Sequence, residues 1–83
     1  MKLRRLYIVE WVDSVQPVAS WCALDDLPAL AVIQCVSVGW LVAKSKKVIM
    51  LAPNLGGGEY VAQQGSGFIR IPVASIVSKK AVG

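Results

Sequence analysis

Apolar and polar positions alternate along most of this chain with the two-residue period of β-strands. From Leu6 to Asp13 the order is Leu-Tyr-Ile-Val-Glu-Trp-Val-Asp. A strand there places Tyr7, Val9 and Trp11 on one face and Leu6, Ile8, Glu10 and Val12 on the other. Both faces are largely apolar, as expected inside a closed barrel or at a subunit contact. A second strand is predicted over Ala31–Ala43, which is rich in β-branched residues. Val36, Val38, Trp40 and Val42 share one face; Cys35, Ser37, Gly39 and Leu41 share the other. Gly39 inside this run predicts a sharp bend or a close backbone approach, and Trp40 is assigned to the core. Lys44-Ser45-Lys46-Lys47 reads as a polar turn, and Val48–Leu51 as the returning strand, giving a hairpin with a basic tip.

Pro53 ends that strand, because proline cannot donate a ladder bond. Leu55–Ser66 contains Gly56, Gly57, Gly58 and Gly65 and reads as a glycine-rich loop. Gly67–Ile71 is the fourth strand, Pro72–Ser75 a single helical turn, and Ile76–Val82 the fifth strand. Between the first two strands, Asp13 to Pro28 forms a long irregular connection punctuated by Pro17, Ser20, Asp25, Asp26 and Pro28. Trp21 and Leu24 are expected to pin it to the body, and Ser20 is in position to cap a short helix over Ser20–Leu24. Connections this long in small domains often carry function.

Five strands, a bend at Gly39 and the run Gly67-Phe68-Ile69-Arg70-Ile71-Pro72 before a one-turn helix resemble the Src-homology-3-like and Sm-like small barrels. The resemblance covers most of the chain at the level of pattern. It implies an all-β, five-stranded small barrel with one short helical turn before the last strand, and a tendency to form rings or other oligomers. It carries no binding residues over. The acidic groove loop and paired tryptophans of Src-homology-3 domains have no counterpart. The Sm-type glycine and asparagine pattern is partial: Asn54 follows the third strand without the usual aspartate context.

Length changes this picture little: 83 residues make one domain, 1–83, with a small core. Composition changes it more. The hydrophobic share is 55%, above the roughly 45–50% of ordinary soluble domains. The excess is expected to be covered by another subunit or partner. Leu27–Ala43 imitates a membrane span, but at 17 residues it is at the short limit. It also contains Pro28, Gln34, Ser37 and Gly39, so a strand is preferred and no membrane is expected. No cleavable apolar segment follows Lys2, Arg4 and Arg5, so a cytoplasmic location is expected, in the host cell if the protein is viral.

The chain has no histidine and two cysteines. It therefore lacks the usual neutral-pH general base and the ligands of a structural zinc site. The thiols Cys22 and Cys35 are expected to be reduced and buried. Adjacent Asp25 and Asp26 do not make a catalytic pair, and no cofactor is implied. The expectation is a protein that binds without catalysing.

Nine basic and five acidic residues give a net charge of +4. Lys44, Lys46 and Lys47 form the densest basic cluster, and Arg4, Arg5, Arg70, Lys79 and Lys80 would join it if the strands bring them together. The competing reading is a solvated hairpin tip. Gly57 and its neighbours either connect strands or offer backbone N–H groups to an anion; the lysine and hydroxyl of a phosphate loop are missing. Trp11 and Trp21 either pack in the core or stack on a base or a protein partner. Lys44, Lys46, Lys47, Arg70, Trp11, Trp21 and Gly57 are therefore the candidate ligand-binding residues. The leading expectation is a homo-oligomer that binds an anionic nucleotide or short nucleic acid, similar to small phage accessory proteins that sequester nucleotide signals or block host defence. The alternative is a protein–protein adaptor or inhibitor, binding a host protein through its apolar surface and the 13–28 loop.

Overall fold

The computed structural model describes residues 4–14, 20–27 and 29–82. Among these, the chain forms seven strands: β1 Leu6–Ser14, β2 Val32–Lys44, β3 Val48–Ala52, β4 Asn54–Gly56, β5 Gln64–Ser66, β6 Ile69–Pro72 and β7 Ile76–Ala81. Two 3-10 turns, Leu24–Asp26 and Val73–Ser75, complete the regular structure. The protein is all-β. Its main sheet has five antiparallel strands in the order β6-β3-β2-β1-β7.

The edge strands β6 and β7 follow one another in the chain across the Val73–Ser75 turn, yet they do not pair. The sheet therefore stays open, which corrects the expected closed barrel. The inward positions of β2 offer a physical reason. Cys35, Ser37 and Gly39 are small, and β6 contributes only four residues, so the sheet has little apolar volume to curl around.

β1 and β2 pair without interruption from Leu6↔Trp40 to Ser14↔Val32. This register puts Tyr7, Val9 and Trp11 beside Gly39, Ser37 and Cys35 on the inner face. Val9, Ile49, Leu51 and Ile71 form the buried cluster, with Tyr7, Trp11, Leu41, Ile69 and Ile76 packed against it. Gly39 lies against β3: a Cβ there would meet the Ala52 carbonyl oxygen and Leu51 Cβ at 3.0 Å each. The close approach expected at this glycine is present. The register of β2 on β3 then slips between Leu41 and Ala43, leaving Val42 as a bulge that bends the strand.

β3 continues past Pro53 into β4, and β5 continues through Gly67 and Phe68 into β6. The pairs Leu51↔Ile69 and Asn54↔Ser66 belong to one register, so the two ladders form a single hairpin interrupted at Pro53. Pro53 supplies no N–H there, and Gly67 opposite it takes φ +73. The predicted glycine loop 55–66 thus contains a paired ribbon; its tip alone, 57–63, is irregular.

Several other expectations are corrected. Trp21 and Leu24 are 104% and 81% exposed and do not pin the 13–28 connection. The short helix falls at Leu24–Asp26 rather than Ser20–Leu24 and has no side-chain cap. Cys22 is exposed and Cys35 half-buried, both as free thiols. Trp40 is half-buried outside the core cluster, because it lies on the outer face of β2 beside Leu6. Residues 15–19 and Pro28 of the long connection lie outside the described residues.

The molecule is elongated, at 61 × 24 × 20 Å with a radius of gyration of 17.3 Å. A compact chain of this length would have a radius near about 12 Å.

Candidate functional site

The turn joining β2 to β3 is built around Ser45. Its backbone N–H donates to the Val48 carbonyl at 2.8 Å. Its hydroxyl oxygen accepts from the N–H groups of Lys47 and Val48 at 3.2 and 3.1 Å. A serine that satisfies two backbone donors fixes a tight turn. The Val73 N–H donates to the Lys47 carbonyl at 2.8 Å and ties the turn to the Val73–Ser75 turn. The lysines therefore project from an ordered frame. The sequence singles out these lysines but not the role of Ser45, whose only signal is its position two and three residues before the N–H groups it holds.

Arg70 reaches the same place from another strand. Its register, Arg70↔Met50 and Met50↔Ala43, sets it on the face shared by Ala43 and Met50. Lys44 and Arg70 flank a shallow groove of about 330 Å³ whose floor includes Ala43, Val48 and Met50. Arg4 donates through Nη1 to the Val42 carbonyl at 3.4 Å, a long contact that places it beside the bulge.

The antiparallel order sets the remaining cations on the same half of the sheet. β1 starts here, with Arg4 and Arg5 just before it, and β7 ends here. Lys80 stands opposite Ile8 and Lys79 opposite Val9, with the Lys79 ammonium 5.2 Å from the centre of the Tyr7 ring. Every described basic residue thus lies at or before the level of Val9 in β1. The acidic residues lie beyond it. Glu10 and Asp13 follow along β1, Asp25 and Asp26 occupy the connection to β2, and Glu59 sits at the β4–β5 tip. The net charge of +4 conceals a separation of charge along the molecule.

The other candidates are elsewhere. Trp11 stands opposite Cys35, nine residues before Lys44 and so about 30 Å away along β2. Its ring packs on the core, and its Nε1 donates to the Ser37 hydroxyl at 3.0 Å. Gly57 lies at the end of the ribbon, where a Cβ would meet Gln63 Cα at 2.9 Å. The ribbon's shape requires glycine there. Trp21 is fully exposed in the connection between β1 and β2. The structure therefore brings Lys44, Lys46, Lys47 and Arg70 to one end and leaves Trp11, Trp21 and Gly57 outside that group. Among the described residues no cluster of three or more cysteine or carboxylate side chains is placed to hold a metal ion. No described helix is long and apolar enough to cross a membrane.

The chain matches no protein-family model, no curated protein sequence and no solved structure.

Proposed function

We propose that this chain is a non-enzymatic, self-associating binding protein whose basic end takes an anionic nucleotide or a short nucleic-acid segment. The observation that carries this reading is the segregation of charge: the eight described cations, from β2, β6, β7, the β2–β3 turn and the segment before β1, lie on one side of the level of Val9 or at it, and the five acids lie beyond. Cations gathered on one surface raise the local potential well above what the net charge suggests and steer anions to it. Lys44 and Arg70 flank an apolar groove. A guanidinium grips phosphate with a planar fork, and the groove floor offers apolar contact to a base or sugar.

The test is the anisotropy of a labelled single-stranded oligonucleotide, with nucleotides as competitors. Binding should be measurable at low salt and weaken as salt rises, with a log–log slope of about −0.7 for each phosphate engaged. Replacing Lys44, Lys46, Lys47 and Arg70 together by alanine should lower affinity at least tenfold. No binding of nucleotide or oligonucleotide at low salt overturns the reading.

One observation favours the adaptor alternative. Trp21, Leu24, Leu27 and Leu30 are all strongly exposed in the connection between β1 and β2. A protein partner seated there would bind with little dependence on salt and would be lost on Trp21→Ala, whereas the basic-end variant would leave it intact.

A further inference from the structure

The outer face of the β1–β2–β7 sheet is apolar where an antiparallel sheet of this size ordinarily meets water with polar residues. Across its three strands stand Ile8, Val36, Val38 and Val77, exposed by 39, 67, 50 and 68%. Val77 lies at the bulge opposite Glu10 and Trp11 and borders a groove of about 360 Å³ lined by Glu10, Val12 and Val36 of the outer face and by Trp11 and Cys35 of the inner. The charges on this face are few and of both signs: Glu10 on β1, and Lys80 opposite Ile8 on β7.

We propose that this face is an interface between two copies of the chain, packed face to face about a two-fold axis that reverses the strand direction. This deepens the self-association in the reading above by naming the surface that mediates it. Three observations select a second copy as the occupant.

The first is area. The chain exposes 6826 Å², whereas a compact monomer of 8.9 kDa would expose about 4,800 Å². The excess of roughly 2,000 Å² is shared by the exposed β1–β2 connection and the uncovered sheet face, and a stable two-fold contact needs only about 800 Å² from each copy. The second is the core. Five apolar side chains, Val9, Ile49, Leu51, Ala52 and Ile71, and Gly39 between them are the whole buried interior among the described residues. A chain with so small an interior gains stability from a covering partner, and a second copy is always at hand.

The third is charge. The cations lie at one end of the strands and the acids at the other, so two copies packed parallel would set like charges together. The antiparallel two-fold arrangement sets the basic end of each over the acidic end of the other. On the contact face it brings Lys80 of one copy towards Glu10 of the next. In an isologous contact each such pairing occurs twice, so one substitution counts double.

The experiment is analytical ultracentrifugation of the full chain across micromolar concentrations. The wild type should sediment at twice the chain mass or a multiple of it. A single-chain mass up to about 100 μM, where even weak specific interfaces associate, overturns both the face and the self-association. Val36→Lys removes no buried contact within a chain and should shift the protein to monomer; an unchanged mass places the contact elsewhere and overturns the face while self-association stands. Glu10→Lys and Lys80→Glu should each raise the dissociation constant at least tenfold, and mixing the two variants should restore assembly as a heterodimer, a result that repair of the Glu10–Lys80 diagonal within one chain cannot produce. Failure of the mixture to assemble overturns the antiparallel arrangement. Oligonucleotide affinity per chain is read separately through Lys47 and Arg70, so loss of that affinity and loss of assembly are distinguishable.

Discussion

Leu51 is fully buried at the centre of a cluster of four side chains, and a residue in so small a core carries an unusual share of the stability. Truncation of a buried leucine ordinarily costs about 2–5 kcal/mol, a large part of the stability of a small domain. Leu51→Ala should therefore leave the chain largely unfolded at 25 °C, as read by urea titration of tryptophan fluorescence. Trp11 tests a different term. Its ring is held by the core and its N–H by Ser37, so Trp11→Phe should cost about 1 kcal/mol for the lost hydrogen bond. It should leave oligonucleotide affinity unchanged, because the ring lies far along β2 from the cationic end. A tenfold loss of affinity in Trp11→Phe would instead make this tryptophan part of the ligand site. The sequence puts Trp11 in a strand and Trp21 in an irregular connection, yet leaves both open to core packing or ligand contact. Only tertiary placement separates them, the one packed under β2 and the other wholly in solvent.

At the scale of elements, the long hairpin formed by β3–β4 and β5–β6 holds one register through a break. Gly67 stands opposite Pro53 with φ +73, and a Cβ on it would meet Pro53 Cγ at 2.9 Å. Gly67→Ala combines left-handed strain of about 1–2 kcal/mol with that clash. Hydrogen exchange should report the damage first in β5 and β6. In the wild type, the amides of Leu55 and Gly65 should exchange faster than those of Leu51 and Ile71, since the ribbon packs no buried side chain beyond the break. Equal protection along the whole hairpin would show that Pro53 does not divide it. The alternating pattern makes the long strands and the Lys44–Lys47 turn legible from the sequence to within a residue or two. The short ribbon is not legible, because Asn-Leu-Gly and Gln-Gly-Ser carry no β-branched signal and pair only because the register of β3 on β6 continues through them. Barrel closure is illegible for a related reason. It depends on whether β6 and β7 meet, and no local pattern encodes that.

At the scale of the molecule, the same topology explains the charge separation and the apolar face. An antiparallel sheet brings residues distant in sequence to one half of the sheet, so Arg4, Lys44, Arg70 and Lys80 all lie on the same side of the level of Val9. The open sheet leaves β1 apolar on both faces, a feature visible in the run from Leu6 to Val12 but open there to barrel or subunit readings. Because the interior is small and the outer face uncovered, assembly should add to the stability of the folded chain. The melting temperature of such a system depends on protein concentration. If the folded species is a dimer, each tenfold rise in concentration adds about 1.4 kcal/mol to the stability of the pair. Spread over the unfolding entropy of two chains, that raises the midpoint by about 3–5 °C. Calorimetric scans at 5, 50 and 500 μM, concentrations chosen to span about two decades, should therefore move upward in steps of that size. In Val36→Lys the midpoint should be lower and independent of concentration. A wild-type midpoint constant over the range would mean that the five buried side chains hold the fold unaided and that the outer face stays wet.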